Sequence, residues 1–142
     1  MRLKLTISAL VYPTEVEELV RGAIETLFPG LNFAETMEEI GLCRIIGQGD
    51  ESNLIVFHRR LREQRILNAV RTVFERVHGD GFLEFMLNKQ AATVGVISFS
   101  TGTERAPLGS IKVRIEADEL EYVIDWLAPP TTGGRPVSKI EI

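Results

Sequence analysis

The chain has 142 residues, with 16 Lys plus Arg, 20 Asp plus Glu, one Cys and a formal net charge of −4 at pH 7. This length predicts a single domain over residues 1–142, with 129–142 as an extended C-terminal tail. The 44% hydrophobic and 25% charged composition excludes a largely disordered chain. No apolar run reaches the roughly 18 residues of a membrane-spanning helix. The lone Cys43 excludes a disulfide framework, and we expect a cytoplasmic protein.

The chain is predicted to begin with a strand and a helix. Apolar and polar residues alternate from Leu3 to Val11, which is typical of a half-buried strand. Thr14 and Glu17 have the spacing of a capping box, so a helix should begin there. The residues expected on its buried face have helical spacing: Val16, Leu19, Val20, Ala23, Ile24 and Leu27.

Strand, turn and helix patterns follow. A weak strand is expected within 31–40 and a stronger one at 42–46, before a turn at 47–50. Across 51–77 apolar residues recur with helical spacing, but their phase shifts near Gln64. This segment is therefore either two helices or one kinked helix.

The second half of the chain is predicted to hold three strands and a final helix. The strands are expected at 82–87, 93–99 and 111–115, separated from other elements by turns or loops at 78–81, 88–90 and 101–109. Asp118 is placed to cap the final helix. The residues expected on the buried face of that helix are Leu120, Val123, Ile124 and Leu127.

Strands that occur in runs, rather than alternating strictly with helices, favour an α+β fold. We expect a two-layer sandwich, in which a largely antiparallel sheet of about five or six strands carries helices on one face. The other face would be open to solvent. Arg2 and Lys4 of the first strand could share it with Lys112 and Arg114 of a late strand.

Residue patterns of enzymes and metal sites are weak. His58 and His78 are the only imidazoles, and neither belongs to a nucleophile motif. The pair His78 and Asp80 supplies two ligands, fewer than a zinc site needs from protein. We therefore predict no catalytic residues, no metal and no cofactor.

An arginine-rich stretch is the first candidate for function. Residues 58–76 hold six arginines and two glutamates, and so are basic within an acidic protein. The planar guanidinium suits phosphates, so a phosphate-binding ridge is one interpretation. A solvated helix face with charges paired four residues apart is the other, and Arg65 and Arg71 could pair with acids and serve only stability. The candidate binding residues are Arg59, Arg60, Arg62, Gln64, Arg65 and Arg71.

A run of polar side chains between two predicted strands is the second candidate. Asn88 and Gln90 could read base edges, and Lys89 could neutralise a phosphate. Asn88 and Gln90 could instead hydrogen-bond the neighbouring backbone and stabilise a bulge or turn. The aromatic strand residues on which many single-strand binders stack bases are absent from the cleanest strand.

Several motifs together resemble a small archaeal family of uncharacterised proteins described as RNA-binding or exosome-subunit-like. They cover nearly the whole chain: Tyr12-Pro13-Thr14-Glu15, Leu61-Arg62 with Gln64-Arg65-Ile66 and Arg71, Leu87-Asn88-Lys89-Gln90-Ala91-Ala92, Pro107-Leu108-Gly109 and Trp126-Leu127-Ala128-Pro129. The resemblance implies a fold like that of the ribosomal large-subunit protein that contacts 5S RNA. It implies RNA as a partner, with a possible RNA-processing complex.

The leading hypothesis is a non-enzymatic RNA-binding or RNA-processing accessory protein. A protein-interaction module or homodimer, formed through the open sheet face or an edge strand, is the first alternative. An enzyme acting on a nucleotide or phosphate ester is the second. A deep pocket that joins Arg62, Arg65, Lys89 and Gln90 would favour the enzyme.

Overall fold

A computed structural model describes residues 2–39, 41–100, 109–132 and 135–136. Its main sheet has six strands in the order β2-β3-β1-β6-β4-β5, and every neighbouring pair in it is antiparallel. The strands are β1 Leu3–Val11, β2 Asn32–Glu39, β3 Leu42–Gly49, β4 Phe82–Asn88, β5 Phe99–Ser100 and β6 Ser110–Ala117. The helices are α1 Glu17–Leu27, α2 Ile55–Glu63, α3 Leu67–Val77, α4 Lys89–Thr93 and α5 Leu120–Leu127, with a 3₁₀ turn at Glu51–Leu54.

The core lies between one face of this sheet and the helices. Alternate residues of the central strand β1, from Leu3 to Val11, are buried, as the period-two pattern predicted. The rings of Phe57 on α2 and Phe74 on α3 pack against Phe85 on β4, with centroids 5.8 and 5.2 Å apart. The predicted two-layer α+β sandwich is therefore confirmed.

The opposite face of the sheet carries charged residues whose charges are largely neutralised. The carboxylate of Glu84 lies 3.0 Å from the Arg114 guanidinium and 3.4 Å from Lys112 Nζ. Lys4 is paired in register with Glu116, which also lies 3.6 Å from Arg114. Lys4, Lys112 and Arg114 share this face as expected, with acidic residues between them, whereas Arg2 precedes β1.

Both predicted helix caps are wrong. Helix α1 begins only at Glu17, after Val16 in an extended conformation, with no side-chain cap. Glu15 instead accepts a hydrogen bond from the Tyr12 amide, and Glu17 pairs with Arg21. The final helix begins at Leu120, and no side chain caps it.

The predicted inward face of α1 is only partly correct. Val20, Ala23, Ile24 and Leu27 are buried, whereas Val16 is 57% and Leu19 68% exposed. Val16 precedes the helix, so helical periodicity does not position its side chain. All four predicted inward residues of α5 are buried.

The predicted turn at 47–50 is also wrong, because Gly47 and Gly49 belong to β3. A Cβ on Gly47 would lie 2.9 Å from the Leu31 side chain, and one on Gly49 would lie 2.2 Å from the Asn53 carboxamide. These glycines therefore permit close packing across the sheet face rather than a turn.

The predicted strand at 93–99 shortens to Phe99–Ser100, which pairs with β4. Where the sequence predicted a turn or loop at 88–90, the structure has a short helix, α4. The Asn88 side chain caps this helix by accepting a hydrogen bond from the Ala91 amide at 2.8 Å. Gly95 then turns the chain with φ +76°. Most of the predicted loop at 101–109 and of the tail lies outside the described residues; Thr131–Thr132 and Arg135–Pro136 pair as two short strands, β7 and β8.

The long helical segment is two helices joined by a Schellman motif. The Ile66 amide donates to the Leu61 carbonyl, and the Arg65 amide donates to the Arg62 carbonyl. Arg65 has φ +57°, and it is the only non-glycine residue with positive φ in the described part of the chain. The phase shift near Gln64 thus marks a real helix end.

No helix among the described residues combines the length and the apolar character needed to cross a membrane.

Candidate nucleic-acid interface

The arginines of helix α2 lie on three different sides of the helix. Arg59 lies on the exposed side. His58 and Arg62 lie toward α5, and Arg60 and Gln64 lie toward the segment after α4. The arginines of the basic stretch therefore do not form one continuous ridge.

Arg62 and Arg71 bind the C-terminal end of α5. The Arg62 guanidinium donates to the carbonyls of Trp126 at 3.0 Å and Leu127 at 3.3 Å. Arg71 donates to the Ala128 carbonyl at 2.9 Å and to the Asp125 carboxylate at 2.7 Å. The last carbonyls of a helix lack partners within it, and cations are favoured there, so both arginines stabilise this helix end. Burial lowers the pKa of Arg62.

His58 completes this contact between α2 and α5. Its imidazole stacks on the Trp126 ring with centroids 4.5 Å apart. Burial, and then the positive charge of Arg62, lower the pKa of His58 to about 4, against a smaller opposing effect of the Trp126 backbone. The ring is therefore neutral at pH 7 and serves packing.

On its other side, α2 holds the segment that follows α4. The Gln64 side chain makes two hydrogen bonds with the Ile97 backbone, donating to its carbonyl at 3.0 Å and accepting from its amide at 2.7 Å. The Arg60 guanidinium lies so close to Gly95 that a Cβ there would be 2.9 Å from its Nη1. The Nε of Arg60 is buried and without a hydrogen-bond partner among the described residues.

Four arginines of the basic stretch, Arg59, Arg60, Arg65 and Arg76, make no hydrogen bond with another described residue and remain available to a ligand. We call the three on α2 and at its end, Arg59, Arg60 and Arg65, the α2 arginine surface, although Arg59 and Arg60 lie on different sides of the helix. Arg59 pairs with Glu63 at 3.5 Å, but both side chains are more than 60% exposed, so water screens this pair. Among the described residues, no acidic side chain lies within 4.0 Å of Arg60 or Arg65. This surface can therefore accept anionic groups.

Lys89 is buried rather than exposed to solvent. Its ammonium donates to the Leu10 carbonyl at 2.8 Å and to both carboxylate oxygens of Glu15 at 3.1 and 3.2 Å. Both side chains of this pair are only 7% exposed. Lys89 also lies 5.5 Å from the centroid of the Tyr12 ring. The Lys89 ammonium therefore links the start of α4 to the end of β1, through Leu10, and to the segment before α1, through Glu15.

The motifs that carry the family resemblance meet in space as two clusters. Tyr12 and Glu15 of the first motif contact Lys89, and a Cβ on Gly109 would lie 3.4 Å from the Tyr12 hydroxyl. Arg62 and Arg71 contact the 126–129 motif around α5. Sequence reasoning missed Glu15 and Asp125 as partners, although the first motif contains Glu15.

A cavity of about 260 Å³ lies between α1 and α4. Its walls are formed by Val16, Leu19, Val20 and Ala23 with Thr14, Glu15, Lys89, Gln90 and Thr93. Arg62 and Arg65 do not line it, so the pocket that would favour the enzyme alternative does not form there. No group of three His, Cys, Asp or Glu side chains that could hold a metal occurs within the described ranges.

Comparison with known proteins agrees with the resemblance. The model of a family described as RNA binding matches residues 4–117. The UPF0201 protein of Methanopyrus kandleri is 41% identical, with 97% of this chain and 92% of that protein covered, and the UPF0201 protein of Sulfurisphaera tokodaii is 42% identical, with 94% and 92% covered. The crystal structure of the UPF0201 protein from Methanococcus jannaschii matches with a TM-score of 0.85 and 33% identity, over 95% of this chain and 99% of that one. The chain therefore belongs to the archaeal UPF0201 family, whose family model is described as RNA binding.

Proposed function

We propose that this protein is a non-enzymatic RNA-binding accessory protein that holds RNA phosphates on the α2 arginine surface. The observation that carries the proposal is the conformation of Arg65. A left-handed backbone costs a residue with a Cβ about 1–2 kcal/mol, and glycine is preferred at this point of a Schellman motif. Because Arg65 is exposed and its left-handed backbone conformation is unfavourable, we infer that its side chain has a binding function.

The neighbouring contacts support this assignment. Arg60 is held against the Gly95 backbone, so its guanidinium is ordered before a ligand arrives. Arg59 lies on the exposed side of the same helix, and only a screened pair with Glu63 competes for it. Guanidinium groups bind phosphate oxygens in a bidentate manner, which fixes orientation as well as charge.

The other candidate residues have architectural roles in this proposal. Arg62 and Arg71 hold α5, Gln64 holds the backbone at Ile97, and Lys89 holds β1 to α4. Asn88 caps α4. They position the α2 arginine surface without contacting RNA themselves, whereas Gln90 stays exposed and available.

Titration of a labelled RNA with two matched triple variants tests the proposal. Replacing Arg59, Arg60 and Arg65 by Gln should weaken binding about tenfold or more at low salt, because three phosphate contacts are lost. The control replaces Arg2, Lys4 and Lys112 by Gln, an equal change of charge outside the α2 arginine surface. Equal losses in the two variants would contradict the proposal, since net charge alone would then govern affinity.

The homodimer alternative gains no specific support. The two edges of the main sheet are β2, an eight-residue strand that carries Glu35, Glu38 and Glu39, and β5, which has two residues. Charged side chains along β2 and the shortness of β5 both oppose pairing of these edges with a second copy.

A further inference from the structure

The cavity between α1 and α4 combines an apolar wall with a polar rim. Val16, Leu19, Val20 and Ala23 form the wall, and two of them, Val16 and Leu19, are more than half exposed. The Gln90 carboxamide lines the cavity and makes no hydrogen bond with any described residue. Its volume of about 260 Å³ is just below the roughly 300 Å³ at which ligand pockets begin, so it suits one ring system rather than a whole cofactor.

The charges around the cavity favour an uncharged group over a phosphate. The Lys89 ammonium is already bound by the Leu10 carbonyl and by Glu15, so its charge is compensated. Glu17 at the start of α1 pairs with Arg21, and Glu18 next to it is exposed. A phosphate would therefore meet a neutral or negative surface here, whereas a neutral heterocycle would not be repelled.

One residue that lines the cavity is close along the chain to a residue that contacts Arg60. Thr93 lines the cavity, and the Arg60 guanidinium lies against the backbone of Gly95, two residues later in the chain. Two residues span at most about 7 Å of extended chain, so Thr93 in the cavity wall and Gly95 beside Arg60 are no farther apart than that. A nucleotide whose phosphate contacts Arg60 can thus extend its base toward Thr93 and Gln90.

We propose that this cavity receives an unpaired base of the bound RNA, an inference that rests on the proposed function. The base would cover the exposed Leu19 and Val16 side chains, and the Gln90 amide would offer it one donor and one acceptor. A paired base cannot enter such a cavity, because its edge is occupied by its partner strand. The protein therefore prefers single-stranded RNA.

Fluorescence anisotropy with a short labelled single-stranded RNA, and with the duplex that it forms with its complement, tests the inference. We expect the wild-type protein to bind the single strand more tightly than the duplex. Leu19→Asn and Gln90→Leu should each reduce single-strand affinity about fivefold and leave duplex affinity within twofold. Met37→Gln is the matched control, because Met37 is 74% exposed on β2 and does not line the cavity. Circular dichroism melting shows whether each variant is folded.

The outcomes separate this inference from the proposed function. An unchanged preference for single strands in both cavity variants would overturn the inference, while loss of binding in the Arg59, Arg60 and Arg65 triple variant would still support the proposed function. Failure of the wild-type protein to bind either RNA would overturn both. An equal loss in Met37→Gln would also overturn the cavity assignment, since any exposed apolar residue would then have the same effect.

Discussion

Arg62 and Arg65 lie three positions apart in one basic stretch, yet the structure gives them opposite surroundings. Arg62 is partly buried, and its donors are engaged by backbone carbonyls of α5 and of its own helix. Arg65 is exposed beyond the end of α2, with a left-handed backbone and no acid within 4.0 Å among the described residues. Charge density along a sequence therefore does not separate a cation that holds the fold from one that can bind a ligand.

Lys89 extends the comparison to a third position. Its ammonium is more deeply buried than the Arg62 guanidinium, and its partner Glu15 is equally buried. We expect the cost of removing a cation to rank with its burial, from Lys89 through Arg62 to Arg65, and the effect on RNA affinity to rank in the opposite order.

The largest expected effect on stability follows removal of Lys89. Lys89→Met leaves the Glu15 carboxylate buried and unpaired, which should lower the free energy of unfolding by about 3–5 kcal/mol. Urea unfolding measures this value. The double variant with Glu15→Gln should recover part of the loss, and a cost below about 1 kcal/mol in Lys89→Met would show that the pair contributes little.

Removal of Arg62 should have a smaller effect. Arg62→Met leaves the Trp126 and Leu127 carbonyls without their charged donor, so we expect a loss of about 2–3 kcal/mol in the same assay. Under conditions where the variant is folded, its RNA affinity should stay near that of the wild type. A strong loss of RNA affinity in folded protein would place Arg62 in the interface instead.

His58 should make stability depend on pH between about 6.5 and 4. The folded protein keeps the ring neutral down to about pH 4, whereas the unfolded chain binds a proton near its ordinary pKa of 6.5. The unfolded state thus gains protons first, and stability falls as pH decreases across this window by about 1–2 kcal/mol, after allowance for solvent screening of the partly buried ring. His58→Phe should lack this component in denaturant titrations across the window, and identical pH profiles for the two proteins would contradict it.

Replacing Arg65 by glycine should give the smallest change in stability. Unlike the other substitutions, it should raise the free energy of unfolding. Arg65→Gly relieves the left-handed conformation, so unfolding free energy should rise by about 0.5–1 kcal/mol while RNA affinity falls. Thermal melting and RNA titration on the same preparation measure both quantities. If the variant is more stable and binds RNA as tightly as the wild-type protein, Arg65 does not contact RNA.

Local patterns predicted the architecture well, because strand alternation and helical spacing are properties of neighbouring residues. The strand around Val113 and the buried face of α5 around Val123 are examples. Such local patterns could not predict which residues of the site contact one another. Lys89 and Glu15 are 74 positions apart, and Arg62 and Trp126 are 64 apart, so only the tertiary fold shows that they meet. The expected likeness to a ribosomal large-subunit protein stays a prediction.

The dependence of RNA affinity on salt tests the central claim most directly. Each phosphate contact with single-stranded RNA contributes about −0.7 to the slope of log affinity against log salt concentration. Replacing Arg59, Arg60 and Arg65 by Gln should therefore make the slope about 2 less negative between roughly 50 and 200 mM salt. A slope identical to that of the wild-type protein would show that RNA phosphates do not contact the α2 arginine surface.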